Sequence, residues 1–229
     1  KEFFFEMEVG FSNELSLFQL NDHPKPEVMF NAKYPFFTGS SEYMKEHFRK
    51  FSQYLKKNYL GSNSKLIEIG SNDGTMLKNF IDKKDNILGI EPSKNVADLA
   101  KINGVPTTNE FFNYENASKY KNFLGQTDAI FASNCICHIP DLNNLIKGID
   151  LLLSKNGTFI FEEPYLGSMF EKTSYDQIYD EHIYMFSLSS ISKIFSLYDF
   201  ELVDALPQIT HGGSMRYIIK RKGNTKQSK

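Results

Sequence analysis

The residues best suited to move a proton are concentrated in one short run. Tyr179, Glu181 and His182 fall within Tyr-Asp-Glu-His. An imidazole titrates near neutrality and can act as a base, a phenol can donate a hydrogen bond, and a carboxylate can orient the ring or hold a substrate. His138 supplies a second imidazole just after an apolar stretch that ends at Ala132. Each has a plain structural alternative: a hydrogen-bonded core or surface histidine at 182, and a histidine opening a helix ahead of Pro140 and Asp141 at 138. Cys135 and Cys137 are separated by one residue, too close to bridge readily. Two thiols alone do not complete a zinc site. They read as packing residues, and no metal is expected.

A second constellation has ligand-binding character. Leu66-Ile67-Glu68-Ile69-Gly70-Ser71-Asn72-Asp73-Gly74 reads as a buried strand running into a glycine turn that opens a helix. Such a turn lets a ligand approach the backbone and presents free N–H groups. Gly70 and Gly74 do not supply the three glycines of a dinucleotide fingerprint, so a nicotinamide dehydrogenase is disfavoured. One unit later, Gly89-Ile90-Glu91-Pro92-Ser93 places a carboxylate at a strand end, where it can accept hydrogen bonds from two ribose hydroxyls or, more simply, cap a helix. Ser133-Asn134 lies at the end of another strand.

These positions require a particular set of elements. Leu66–Ile69, Ile87–Ile90, Asp128–Ala132 and Thr158–Phe161 are expected as strands, with helices over 75–82, 93–103 and 141–154 between them. Alternation of this kind implies βαβ units and a parallel sheet. Before them, Met44, Phe48, Phe51 and Leu55 recur at helical spacing, with Ser40 or Ser41 as cap and Glu42 in the first turn. After them, a helix near 189–198 precedes strands 201–206 and 215–221, whose short connection suits an antiparallel hairpin. Residues 1–38, punctuated by Pro24 and Pro26, read as an irregular N-terminal arm. Residues 39–222 form the main domain, and 223–229 a polar tail.

Composition sets bounds on partners. The formal charge of −2 offers no global field for nucleic acid or an anionic membrane. No apolar run reaches bilayer length, and two cysteines suit a reducing compartment. A cytoplasmic protein acting on a small molecule is expected, with its oligomeric state open. The 21 Phe and 12 Tyr fit a Phe-rich core better than a ring-lined cleft. The first residue is Lys, so a fragment or trimmed chain is expected.

Glu68, Gly70, Gly74 and Glu91, spaced ahead of this layout, resemble the class I S-adenosylmethionine-dependent methyltransferases. The resemblance implies an α/β, Rossmann-like fold with a mostly parallel seven-stranded sheet and a C-terminal antiparallel hairpin. It implies S-adenosylmethionine as cofactor, held by Glu68, Gly70, Asn72, Gly74, Glu91, Pro92, Phe111, Ser133 and Asn134. Phe111 and Phe112 can sandwich adenine or serve the core.

Further motifs are similar to those of the deoxysugar C-methyltransferases, over about Tyr34 to Arg216. They are Ser133-Asn-Cys-Ile-Cys-His138-Ile-Pro-Asp141, Glu162-Glu-Pro-Tyr165, Asp176-Gln-Ile-Tyr-Asp-Glu-His182 and His211-Gly-Gly-Ser-Met-Arg216. That family methylates a carbon beside the keto group of a nucleotide-linked sugar. The resemblance implies an enolate, with His182 as base, Glu181 orienting it or binding substrate, and Tyr179 donating to the oxygen. It also places an active-site histidine at His138 and a tyrosine that closes over the site at Tyr34, where an aromatic-arm tyrosine can instead simply pack. The two glycines of His211–Ser214 allow close backbone approach and suit a substrate loop, or else a plain hairpin turn. The family's Tyr-His-Glu-His segment has Asp180 as its second residue here. Its cysteine-built N-terminal zinc domain and further C-terminal domain have no counterpart in these residues, which leaves a fragment or a compact relative. O- or N-methylation of another acceptor, and an inactive cofactor-binding partner subunit, stand as alternatives.

Overall fold

The computed structural model of the chain describes residues 6–224. The first five residues of the expected arm, and the polar tail from residue 225 on, lie outside them. In chain order the strands are β1 (Val9–Ser12), β2 (Leu17–Leu20), β3 (Leu66–Ile69), β4 (Ile87–Ile90), β5 (Thr107–Thr108), β6 (Thr127–Ser133), β7 (Leu153–Pro164), β8 (Tyr184–Met185), β9 (Phe200–Gln208) and β10 (Ser214–Arg221). The helices are α1 (Pro26–Met29), α2 (Glu42–Asn58), α3 (Lys94–Ile102), α4 (Tyr114–Ala117), α5 (Leu142–Leu152), α6 (Leu166–Lys172) and α7 (Leu188–Ser196). A seven-stranded sheet has the order β5-β4-β3-β6-β7-β10-β9, and a second sheet the order β1-β2-β8. The expected mostly parallel sheet with its terminal hairpin is borne out.

The chain forms two compact units. One, here the glycine-turn unit, comprises Phe30–Ala132 and Asn143–Phe159. Its centre is β3, which pairs in parallel with β4 and β6 and is buried at every position. A strand covered on both faces needs a continuous apolar run, and Glu68 is the departure from that rule. Helix α2 buries Phe48, Phe51 and Leu55, and Phe51 meets Phe131 of β6 edge-on at 6.3 Å. Its cap is Ser41, whose side chain accepts from Met44 N at 3.2 Å.

The helix expected over 75–82 is a 3-10 helix over Leu77–Asn86. The Asp73 carboxylate takes both the N–H and the hydroxyl of Thr75, at 3.2 and 2.6 Å. This local side-chain bonding competes with helix formation and delays the start. β5 was not foreseen, because two residues carry no period.

The other, the histidine unit, comprises Ser133–Leu142 and the described residues of Lys1–Met29 and Ile160–Lys229. Part of the stretch read as an irregular arm is regular: β1 and β2 form an antiparallel hairpin, and β2 pairs with β8 through Phe18 and Met185. β9 and β10 pair antiparallel with a bulge at Ile218/Ile219. The aromatic excess is largely core here. Phe161 stacks on Tyr217 at 4.9 Å and packs against Phe195 at 5.9 Å. Helix α7 begins with a capping box between Ser187 and Ser190.

Candidate active site

The glycine-turn unit gathers most of the proposed cofactor residues. Gly70, Asn72 and Gly74 have φ of 67°, 48° and 77°, the left-handed region that L side chains enter at a cost. A Cβ on Gly74 would lie 2.9 Å from Val105 Cγ2 and 3.2 Å from Ala100 Cβ, so this glycine also lets the turn pack onto α3. Glu91 is buried, and its two oxygens accept from Asn72 N at 3.0 Å and Ser93 N at 2.7 Å. One carboxylate thus ties the turn to the start of α3. Each of its oxygens keeps a further lone pair for a ligand. Burial raises the Glu91 carboxyl, and these N–H groups partly offset the shift.

Segment 36–39 is pinned to the same turn. Asn72 accepts from Thr38 N and donates to Phe36 O, while Gly39 N donates to Asp73. The Tyr34 carbonyl is held by Asn95 of α3 at 2.8 Å, and its ring packs against Phe30. Tyr34 therefore stands with the cofactor candidates' unit. Pro92 accepts from Asn109 through its carbonyl. Phe112 is buried with its ring against Gly148, whereas Phe111 is half-buried.

Glu68 is 3% exposed, and its pKa lies well above the ordinary value, from burial first and then from the charges of Asp73 and Glu91. Glu68 Oε2, Ser71 Oγ and Ser93 Oγ are buried and make no hydrogen bond. Buried polar atoms in folded proteins are nearly all paired, so such a cluster calls for a ligand. Three mutually repelling carboxylates favour a cationic ligand and disfavour a pyrophosphate.

The histidine unit gathers the proton-handling residues. Asn134 has φ 50° and donates through its N–H to Glu162 O at 2.8 Å. Ser133 Oγ and Asn134 Oδ1 are buried without a hydrogen bond. A 3-10 turn over Ile136–His138 follows. His138 and His182 have ring centroids 5.2 Å apart. His182 Nδ1 faces Gln177 O at 2.8 Å. A carbonyl only accepts, so Nδ1 carries the proton and Nε2 offers a lone pair. Tyr179 Oη lies 2.8 Å from that Nε2 and donates to it. Tyr179 is 38% exposed, so the pair is reachable from solvent.

Burial, chiefly, pushes His182 down to about 4 and His138 down to about 3, and the charge of His211 adds to both shifts. Both rings are therefore neutral at pH 7. Glu181 is half-buried and raised by burial and by Asp180. The orienting contact expected of Glu181 is made instead by the Gln177 carbonyl. Nothing in a side-chain pattern marks a backbone acceptor, so this contact escaped the sequence reading.

Glu162 and Glu163, two buried carboxylates at the end of β7, have structural roles that their motif does not announce. Glu163 Oε1 accepts from Cys135 N at 2.9 Å and Ile136 N at 2.6 Å, fixing the turn that carries His138. Burial pushes Glu163 up to about 7. Glu162 receives Arg216 Nε at 2.6 Å in a buried ion pair. Paired carboxylates directly after an apolar strand were the available signal. Cys137, read as a packing residue, has its sulfur within 4.8 Å of ring nitrogens of both His138 and His182.

The loop His211–Ser214 holds His211 at φ 48°, ψ 42° and exposed. Gly213, at φ 130°, leaves no room for a side chain: its Cβ would sit 2.7 Å from Ser168.

Among the described residues no helix is long and apolar enough to cross a membrane. Comparison with known proteins points one way. C-methyltransferase NovU from Streptomyces niveus is 28% identical over 215 residues, 93% of this chain but 51% of that protein. The chain thus spans about half the length of this curated relative. A SAM-dependent methyltransferase from Anabaena variabilis superposes with a TM-score of 0.55 at 20% identity, covering 76% of this chain and 84% of that one. Magnesium protoporphyrin IX methyltransferase from Synechocystis, solved with SAH bound, gives 0.55 at 14%, covering 78% and 83%. Residues 41–205 match the methyltransferase-domain family, and the chain belongs to it.

Proposed function

We propose that this chain binds S-adenosylmethionine and methylates a carbon beside the keto group of a nucleotide-linked deoxysugar. The observation that carries the reading is the hydrogen-bonded series Gln177 O, His182 and Tyr179, which leaves a neutral imidazole with its lone pair on an exposed phenol. The cofactor, when bound, supplies an electrophilic methyl on a sulfonium centre. Glu68, Asp73 and Glu91 form an acidic cluster suited to that positive charge, and Glu91 keeps lone pairs for the ribose hydroxyls. The Gly70–Gly74 turn admits the ligand to the backbone. Phe111, half-buried, is available to the adenine, and Ser133 and Asn134 offer unpaired polar atoms to the donor.

The acceptor chemistry falls to the Tyr179–His182 pair. The α-proton of the keto sugar passes to the Tyr179 oxygen as the phenolic proton passes to His182 Nε2. The electrons of the C–H bond become the enolate, whose carbon would be the nucleophile for the methyl that the bound cofactor would supply, the S–CH3 bond electrons leaving with S-adenosylhomocysteine. The Gln177 carbonyl stabilises the resulting imidazolium through Nδ1–H. His138, Glu181 and Tyr34 are assigned to substrate contact, and His211 to the loop that admits it. The keto-sugar acceptor rests on the motifs shared with the deoxysugar enzymes and on NovU's being a C-methyltransferase.

The test is deuterium exchange at the α-carbon of a dTDP-4-keto sugar in D₂O, with S-adenosylhomocysteine in place of the donor. Exchange that depends on His182 is expected. Methyl transfer to an oxygen or nitrogen without such exchange would replace this reading.

A further inference from the structure

The histidine cluster contains a group that methyl transfer leaves idle. Cys137 Sγ and one ring nitrogen each of His138 and His182 lie within 4.8 Å of one another, with Cys137 and His182 buried. Tetrahedral zinc, with Zn–S near 2.3 Å and Zn–N near 2.0–2.1 Å, holds its ligand atoms roughly 3.3–3.6 Å apart, so the three need close by only about 1 Å. Thiolate with two imidazoles is a donor set that selects zinc over magnesium or calcium.

One further feature suits a metal. His182 is anchored by Nδ1–H on the Gln177 carbonyl, the contact that metal-bound histidines usually make through their second nitrogen. Around the site, Glu163 lies beside the Cys137 thiol and Tyr179 beside His182. Glu163 Oε2 is buried and makes no hydrogen bond.

We propose that Cys137, His138 and His182 form a zinc-binding site, and that zinc bound there displaces the Tyr179 hydroxyl from His182 Nε2 and withdraws the base from catalysis. The thiol proton leaves to solvent as the Zn–S bond forms, and nothing is oxidised or reduced. The withdrawal rests on the methyl-transfer reading above, whereas the binding does not.

Zinc is titrated into the metal-free chain against a chromogenic chelator. One equivalent should bind, with no competition from a large excess of magnesium. Cys137→Ser and His138→Gln should each weaken zinc by at least about tenfold while the melting temperature stays near that of the parent. Cobalt in the unmutated chain should give a sulfur-to-metal charge-transfer band in the near ultraviolet, which reports on Cys137 even if a variant fails to fold. Absence of that band, or zinc affinity indifferent to both substitutions, overturns the site. In the deuterium-exchange assay, zinc should stop exchange and a chelator restore it. Zinc that binds through Cys137 yet leaves exchange running overturns the withdrawal, and with it His182 as base, but not the site.

Discussion

The glycine turn and the histidine cluster are built in opposite ways. Around the turn, side chains serve the backbone: Glu91, Asn72 and Asp73 are engaged with N–H groups of residues 38, 39, 72, 75 and 93. Their geometry is set before any ligand arrives. In the histidine cluster the backbone serves the side chains. The Gln177 carbonyl selects the His182 tautomer, and Cys137 O accepts from Ile183 N at 3.0 Å, joining the two histidine-bearing segments. The first arrangement fixes a shape and the second holds a protonation state. A donor molecule needs mainly the former, and an acid–base step needs the latter.

That contrast is broken most severely at His182. His182→Ala should lower turnover by about 10²–10⁴-fold, the range for loss of a positioned base, with cofactor affinity unchanged. Calorimetry beside a methyl-transfer assay checks both halves. Turnover near that of the parent would remove His182 from the mechanism and reduce the cluster to packing.

The next effect is on stability. Arg216 is 8% and Glu162 1% exposed at the side chain. Glu162→Gln removes the buried carboxylate charge that faces Arg216, a loss of roughly 3–5 kcal/mol. Chemical denaturation measures it. A much smaller change would mean that contacts other than Glu162, Gln208 at 3.5 Å from Arg216 Nη2 among them, are enough to hold the cation.

Glu91→Ala acts on the other region. It should weaken S-adenosylmethionine by at least about tenfold, since hydrogen bonds to a charged acceptor contribute about 1.5–3 kcal/mol. It also frees the Asn72 and Ser93 N–H groups, so affinity and melting temperature should fall together. A fall in melting temperature alone would make Glu91 a helix-start cap, the plainer alternative.

The two regions were also unequally legible in the sequence. The run Leu66–Gly74 and the carboxylate at 91 are local patterns, an apolar period broken by glycine or an acid, and the structure places them where the pattern implied. His182 and Tyr179 were legible as types. What makes them a pair was not, because a backbone carbonyl at 177 leaves no trace in side-chain identity. The approach of Cys137 to His182 joins residues 45 positions apart through the Ile183–Cys137 hydrogen bond, which no local period encodes. The β1–β2 hairpin was hidden for a related reason. Its strands have four residues each, and their partner β8 has two, so tertiary pairing rather than periodicity defines them.

The smallest effect tests whether the turn is poised for a cation. Glu68 has its carboxyl raised well above the ordinary glutamate value of about 4.3. Between that value and the raised one, the folded chain binds a proton that the unfolded chain has released. Stability contributed by this group is therefore full at low pH and is lost as pH rises, by at most about 1.4 kcal/mol per pH unit. Glu68→Gln removes the titration, so the variant should gain on the parent as pH rises above the ordinary glutamate value, in thermal melts without cofactor. A gap that does not change with rising pH would mean that Glu68 is not raised. Added S-adenosylmethionine should then shrink the gap, because a sulfonium beside Glu68 favours the ionised carboxylate. A gap unchanged by the donor would separate the buried acid from the cofactor and leave Glu91 as the turn's main ligand for it.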